Sequence, residues 1–354
     1  MQVLAGDIGG TKTLLALAEV SPDPAAAGPL RVALLETRRY ESRAFPGLGA
    51  VCQQFASELG VKLPPQAGFG VAGPVVDGRC QATNLPWVLD EGDLRRALGL
   101  TRVTLANDFL ALGLGISSVQ PQDLVALNEG LRDPQGPWAI LGAGTGLGEA
   151  MSFARPDGHR QVLATEGGHA SFAPRDEREV QVLRILLRRF EHVSWERVLS
   201  GDGLVSLAEA LAEISGRPLP ARLAELARDD RAQAPAEVTS SQDPLCLEAV
   251  DLFCSLYGAE AGNFALKTLA TGGVFVAGGI APRILPALCA GGFREAFVGK
   301  GRMRPLLERM PVHIVLDDDA ALLGAAALAA TPATATPDTA TSAAATPARE
   351  RAKA

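Results

Sequence analysis

The stretch Leu4-Ala5-Gly6-Asp7-Ile8-Gly9-Gly10-Thr11-Lys12-Thr13, continued by the apolar run from Leu14 to Ala18, constrains this chain more than any other. It reads as strand, glycine turn, strand, with a carboxylate at the entry to the turn and hydroxyls at its exit. Gly9 and Gly10 let the backbone turn at little steric cost and bring a phosphate close to the amides, while Thr11 and Thr13 offer hydroxyl donors. Asp7 is out of place in a plain anion site, because two anions repel. It fits where a divalent cation or an attacking water lies between carboxylate and phosphate. By itself the stretch is equally compatible with an ordinary hairpin turn.

Two commoner phosphate motifs are excluded. A Walker A loop needs glycine where Thr11 stands and a strand leading into a helix, and the dinucleotide fingerprint fails at Ile8 and Thr11. With 354 residues and 47% hydrophobic content, the chain is long enough for two domains with sizeable cores. A net charge of -7 argues against broad nucleic-acid or anionic-membrane binding, although backbone amides can still hold a small anion. The cysteines Cys52, Cys80, Cys246, Cys254 and Cys289 form no C-x-x-C pair and have no nearby histidine. That spacing predicts reduced thiols with neither structural zinc nor a disulfide framework. No charged leader, long apolar run or membrane span is visible, so the expected location is the cytoplasm.

Taken in order, Arg31 to Arg39 reads as a strand, and Leu48, Val51, Cys52, Phe55 and Leu59 recur at helical spacing. A buried strand through Phe69 to Val75 precedes the loop Thr83-Asn84-Leu85-Pro86-Trp87, which is compatible with a capped turn around a packed tryptophan. The strand Val103 to Ala106 delivers Asn107 and Asp108 onto the start of a helix running from Phe109 to Ile116. Asp108 can cap that helix, or, at the carboxyl end of a strand, accept a proton from a substrate hydroxyl. Residues Trp138 to Gly148 then repeat the opening design, with Gly142, Gly144, Thr145 and Gly146 in the turn. The two hairpins lie about 136 residues apart and suggest an internal duplication, one phosphate loop per half.

Glu166-Gly167-Gly168-His169 places a carboxylate and an imidazole on one tight loop, suited to a polyhydroxylated substrate, with a structural histidine as the plainer alternative. Val180, Leu183, Leu187 and Phe190 predict one helical face, and Glu196 follows in a segment without a capping box. Gly203 to Ile214 predicts a helix, Arg217 to Asp243 a polar connection, and Leu247 to Leu269 a core helix whose Gly258 and Gly262 allow close packing on a sheet. A third strand, Val274 to Ala277, enters Gly278-Gly279-Ile280, compatible with a nucleotide-facing turn or a plain strand-helix connection. Pro311 to Val315 reads as a late strand and Ala320 to Ala330 as a closing helix. From Thr331 onward the Thr/Ala/Pro composition predicts a disordered tail.

Asp7-Ile8-Gly9-Gly10-Thr11, Thr83-Asn84 with Trp87, Asn107-Asp108-Phe109, Gly142 to Gly148, Glu166 to His169, Glu196 to Gly201 and Gly278-Gly279-Ile280, in that order, resemble the bacterial glucokinase family. The resemblance runs from about residue 2 to residue 329, within the group lacking a cysteine-rich zinc motif. Lys12 departs from that group, which more often has asparagine there, and the tail has no family counterpart.

The resemblance implies two actin-like α/β domains, each with a mixed five-stranded sheet flanked by helices, and a sugar-binding cleft between them. It implies a small domain of residues 1–118 plus 313–330 and a large domain of residues 119–312. It further implies transfer of the γ-phosphoryl group of ATP to the 6-hydroxyl of glucose. On that basis Asp108 is the general base, and Asn84, Asn107, Glu166, His169 and Glu196 hold sugar hydroxyls. Gly6, Asp7, Ile8, Gly9, Gly10 and Thr11 together with Gly142, Gly144, Thr145 and Gly146 wrap the phosphates, Gly278 and Gly279 border the adenosine, and Asp7 faces magnesium through water. A homodimer is expected by analogy. Competing readings are a sugar-sensing regulator, which needs a DNA-binding module ahead of the first turn, a non-catalytic sugar-binding protein, and a kinase for another hexose or another phosphoryl donor.

Overall fold

The computed structural model describes residues 1–22, 30–82 and 85–331. Asn84 and the tail beyond Thr331 therefore lie outside the described residues. By Cα proximity the described chain divides into two units, residues 1–22, 30–115 and 321–331 in the first and 116–320 in the second.

In the first unit, β1 (Gln2–Ile8), β2 (Lys12–Pro22) and β3 (Leu30–Glu41) form an antiparallel meander. Helix α1 (Leu48–Leu59) returns the chain to β4 (Gln66–Val71), which lies parallel to β1. After a short ribbon, β5 (Arg79–Gln81) with β6 (Val88–Asp90), helix α2 (Glu91–Leu98) leads to β7 (Arg102–Asn107), parallel to β4. The strand order is β3-β2-β1-β4-β7, a mixed five-stranded sheet. β1 is apolar almost without a break because both faces are covered, as a central strand requires. Leu4, Ile8, Phe55 and Phe69 fill one face, and Val3, Ala5 and Ala16 pack on Leu322, Ala325 and Ala329 of the closing helix on the other. Helix α3 (Asp108–Gly115) starts directly at the end of β7.

In the second unit, β8 (Leu124–Asn128) is followed by the meander β9 (Trp138–Ala143), β10 (Leu147–Ala154) and β11 (Arg160–Thr165). Helices α4 (Glu177–Leu186), α5 (Gly201–Ser215), α6 (Ala221–Asp229), α7 (Ala234–Ser240) and α8 (Pro244–Thr268) precede β12 (Gly273–Ala277), which is parallel to β9. Short helices α9 (Leu285–Cys289), α10 (Gly292–Val298) and α11 (Arg304–Glu308) lead to β13 (Val312–Val315), parallel to β12. The chain then returns to the first unit through α12 (Ala320–Ala330). The order β11-β10-β9-β12-β13-β8 reproduces that of the first sheet strand for strand and adds β8 antiparallel at the edge. The duplication suggested by the two glycine turns is thus present in the topology.

Several expectations are corrected. The second sheet has six strands, not five, because β8 caps the edge of β13. Residues 313–320 stay with the second unit, because β13 is held by the β12 ladder, so the return begins only with α12. Residues 217–243 fold as α6 and α7 instead of a connection, burying Leu223, Leu226 and Val238. Helix α4 ends at Leu186 and buries Val182, Ile185 and Leu186, so Leu187 and Phe190 fall beyond it and Leu187 is exposed. Gly258 and Gly262 of α8 meet the carbonyls of Phe293 and Phe297, so they admit α10 and not the sheet.

Candidate functional site

The register of the first sheet aligns Ile8 with Val71 and Val71 with Asn107. The first glycine turn and the Asn107-Asp108 pair therefore emerge at the same edge, the carboxyl ends of three parallel strands, where α/β sheets place ligands. Gly9 N donates to Lys12 O at 2.9 Å to close the turn. Ser42, just past β3, braces it: its N–H donates to Thr11 O at 3.0 Å and its hydroxyl to Gly9 O at 2.9 Å. Thr13 Oγ1 lies 3.0 Å from Ser42 Oγ and is fully buried. This corrects one expectation, since Thr13 is occupied inside the turn, whereas Thr11 is exposed.

Asp7 sits on β1 between Leu14 and Gly70 of its neighbours. Burial raises its carboxyl above the ordinary aspartate value, and the Lys12 ammonium opposes that shift. Among the described residues no three His, Cys, Asp or Glu side chains cluster to hold a metal ion unaided. A single hard carboxylate beside a glycine turn nevertheless fits magnesium, which takes one or two carboxylates and completes its shell with other oxygens and water.

Asp108 opens α3, and the Phe109 N–H is shared between Asn107 Oδ1 at 2.9 Å and Asp108 Oδ1 at 3.0 Å. Capping does not preclude a chemical role, because a carboxylate has two oxygens and several lone pairs. Asn107 Nδ2 donates to Gly73 O at 3.2 Å, which fixes the carboxamide against the turn after β4. The Trp87 ring is buried, with Nε1 donating to Phe45 O at 3.2 Å.

In the second unit Gly144 N donates to Gly146 O at 2.8 Å, and Gly144 O accepts from Gly201 N at 2.8 Å. Gly201 begins α5, whose N-cap Ser200 accepts from Gly203 N, so the positive end of a 15-residue helix abuts the turn. Tyr257 of α8 ties this turn to the third one: its hydroxyl accepts from Ala143 N at 3.0 Å and reaches Ala277 O at 3.4 Å. Burial raises the Tyr257 phenol well above its ordinary value, which keeps it protonated for that bridge. Gly278 has φ +87° and a Cβ there would lie 2.6 Å from Ala143 O, so this position requires glycine.

Glu166, Gly167, Gly168 and His169 form a single turn at the end of β11. His169 lies between two carboxylates, with Nε2 3.7 Å from Glu166 Oε2 and Nδ1 4.0 Å from Glu196 Oε1. The other Glu196 oxygen accepts from Leu147 N at 3.0 Å, so that residue both anchors β10 and faces the histidine. A cavity of about 360 Å³ lies beside them, lined by His169, Glu196, Arg189, Phe190, His192 and Arg197 among others. Within the first unit the structure brings together Gly6 to Thr11, Asn107 and Asp108; within the second, Gly142 to Gly146 with Gly278 and Gly279, and Glu166 with His169 and Glu196. Sequence reasoning missed Ser42, Tyr257 and the start of α5. The first two act far from their own sequence neighbours, and only the Ser200-Gly201-Asp202 cap carried a local signal.

A family model described as Glucokinase matches residues 4–332. The glucokinase of Nostoc punctiforme is 41% identical over 339 residues, covering 92% of this chain and 97% of that protein. The crystal structure of a glucokinase from an Antarctic psychrotroph superposes with a TM-score of 0.78 at 30% identity, covering 93% of this chain and 98% of that one. A ROK-family glucokinase from Streptomyces griseus, solved with glucose and AMPPNP, has a TM-score of 0.61 at 21% identity and covers 93% and 99% of the two chains, a likeness of fold.

Proposed function

This chain belongs to the glucokinase family, and on that premise we propose that it transfers the γ-phosphoryl group of ATP to the 6-hydroxyl of glucose, giving glucose 6-phosphate and ADP. The observation that carries the assignment of roles is the alignment of Ile8, Val71 and Asn107, which sets the phosphate turn and Asp108 at one edge of one sheet. Asp108 accepts the proton of the 6-hydroxyl. The freed oxygen forms a bond to the γ-phosphorus while the bond from that phosphorus to the β,γ-bridging oxygen breaks and ADP leaves. Asn107, Glu166, His169 and Glu196, with Asn84 on the loop outside the described residues, hold the remaining hydroxyls. Pairing each hydroxyl rejects sugars that lack one.

Gly6, Asp7, Ile8, Gly9, Gly10 and Thr11, with Gly142, Gly144, Thr145 and Gly146, receive the phosphates through backbone N–H groups and exposed hydroxyls, and Gly278 and Gly279 border the adenosine. Magnesium, faced by Asp7 through water, would supply charge neutralisation on the phosphates. We further propose a homodimer in the cytoplasm, the latter supported by five cysteines that are all free thiols. Sedimentation of the purified protein tests the dimer.

The test of the function is ADP release with magnesium-ATP across glucose, mannose, fructose, N-acetylglucosamine and no sugar. Strong dependence on glucose is expected; release that is equal with and without sugar, or stronger with another hexose, overturns the assignment.

A further inference from the structure

Glu149 has no part in the mechanism above, yet it is 2% exposed, and its Oε1 is buried without a hydrogen-bond partner. It stands on β10 directly opposite Thr165 of β11, the residue that precedes Glu166. Its Oε2 lies against the Gly167 backbone so closely that a Cβ there would be 1.9 Å away. Next to it, a Cβ on Gly168 would be 2.1 Å from Leu147 O. Two alternate residues of β10 thus form the floor on which the Glu166–His169 turn rests, with no clearance between floor and turn.

From the helix side Glu149 faces Glu260, Tyr257 and Lys267 of α8. Glu260 is itself fully buried, with its own Oε1 unpartnered and Lys267 Nζ at 4.0 Å. Glu260 Oε2 accepts from Asn263, whose carboxamide oxygen takes Lys300 Nζ at 2.6 Å. On the turn side the neighbouring polar groups are Glu166 and His169, both largely exposed. Two buried carboxyls with one orphan oxygen each cannot both be ionised at low cost.

We propose that Glu149 is a positioning residue that must carry its proton for the Glu166–His169 turn to hold the sugar, so that its ionisation selectively weakens glucose binding. This rests on the glucose kinase assignment above. Burial, then the Glu260 carboxylate, push the Glu149 carboxyl up to about 8, with Lys267 opposing, so the acid form prevails at neutral pH. Once ionised, an unpartnered buried carboxylate must draw in water or move outward. Its Oε2 already abuts the Gly167 backbone, so movement toward the turn presses on Gly167 and displaces Glu166 and His169 from the hydroxyls they hold.

The experiment is a steady-state pH series from 7 to 9.5 with glucose and magnesium-ATP, a range above the ordinary titration of histidine. For the wild-type protein, the KM for glucose should rise above about pH 8 and approach about tenfold per unit, while the KM for ATP stays level. Glu149→Gln, which keeps a neutral side chain of the same shape, should abolish that rise. Glu260→Gln removes the like charge and should move the rise to lower pH. Glucose turnover with a KM for glucose that is flat to pH 9.5, or a rise that persists in Glu149→Gln, overturns this role and leaves the kinase assignment standing. Absence of glucose turnover at pH 7 overturns the assignment itself.

Discussion

The two glycine turns come from the same strand-turn-strand design on sheets of the same order, yet they are braced by different means. The first is held by one residue, Ser42, whose hydroxyl bonds Gly9 O and Thr13 Oγ1 and whose backbone N–H donates to Thr11 O. The second is held by a helix start, a buried tyrosine and Glu196, which also faces His169. The difference has a functional meaning. Ser42, the brace of the first turn, bonds none of the residues assigned to the sugar, whereas Glu196, a brace of the second, is itself one of them.

The largest effect that separates the two turns is expected at Gly278. An alanine there meets the Ala143 carbonyl and adopts a left-handed φ, at about 1–3 kcal/mol for the backbone strain alone. Gly278→Ala should lower the melting temperature and raise the KM for ATP; an unchanged ATP constant would remove this turn from the nucleotide site. Ser42→Ala comes next, since it leaves the buried Thr13 hydroxyl and the Gly9 carbonyl short of a partner, at about 1–3 kcal/mol. It should weaken ATP binding and leave glucose binding level, and an equal loss of both would break the proposed separation.

A smaller effect is expected at Gly146. Its Cβ would lie 2.4 Å from Glu196 Oε2, the mobile end of a side chain, so Gly146→Ala should displace that carboxylate at little cost in stability. Both the glucose and ATP constants should rise together, in contrast to Ser42→Ala.

A different kind of effect is the pH dependence of stability. The native Glu149 carboxyl titrates near 8 against 4.5 for the ordinary group, so the folded state keeps a proton that the unfolded chain releases. Stability from this group is therefore full below pH 4.5 and falls as pH rises toward 8. Glu149→Gln lacks that decline, so its melting temperature relative to wild type should climb between pH 5 and 8; a constant offset would show that Glu149 titrates normally.

Both turns, the strands around them and the Asn107-Asp108 placement were legible in the sequence because glycines and short apolar runs are local signals. The same holds for α1, whose helical spacing matches Leu48–Leu59. What was not legible is non-local. Ser42 lies 29 residues from Thr13, and Tyr257 lies 114 from Ala143. A buried serine or tyrosine looks no different in sequence from any other. Helices α6 and α7 were hidden by their polar, Ala/Pro-rich composition, since their few buried leucines and valines matter only once α5 and α8 are in place. On α4 the apolar stripe read from the sequence, Val180, Leu183, Leu187 and Phe190, is not the buried one: the helix stops at Leu186 and buries Val182, Ile185 and Leu186.

The account stands or falls on Asp108 acting as the base in a site whose sugar contacts come from other residues. The most direct measurement is the turnover number of Asp108→Asn with saturating glucose and magnesium-ATP, beside the glucose affinity of the same variant measured by calorimetry. A fall of about 10² to 10⁴ in turnover, the usual share of a general base, with glucose still bound, is the result predicted. Turnover near that of the wild type would contradict it.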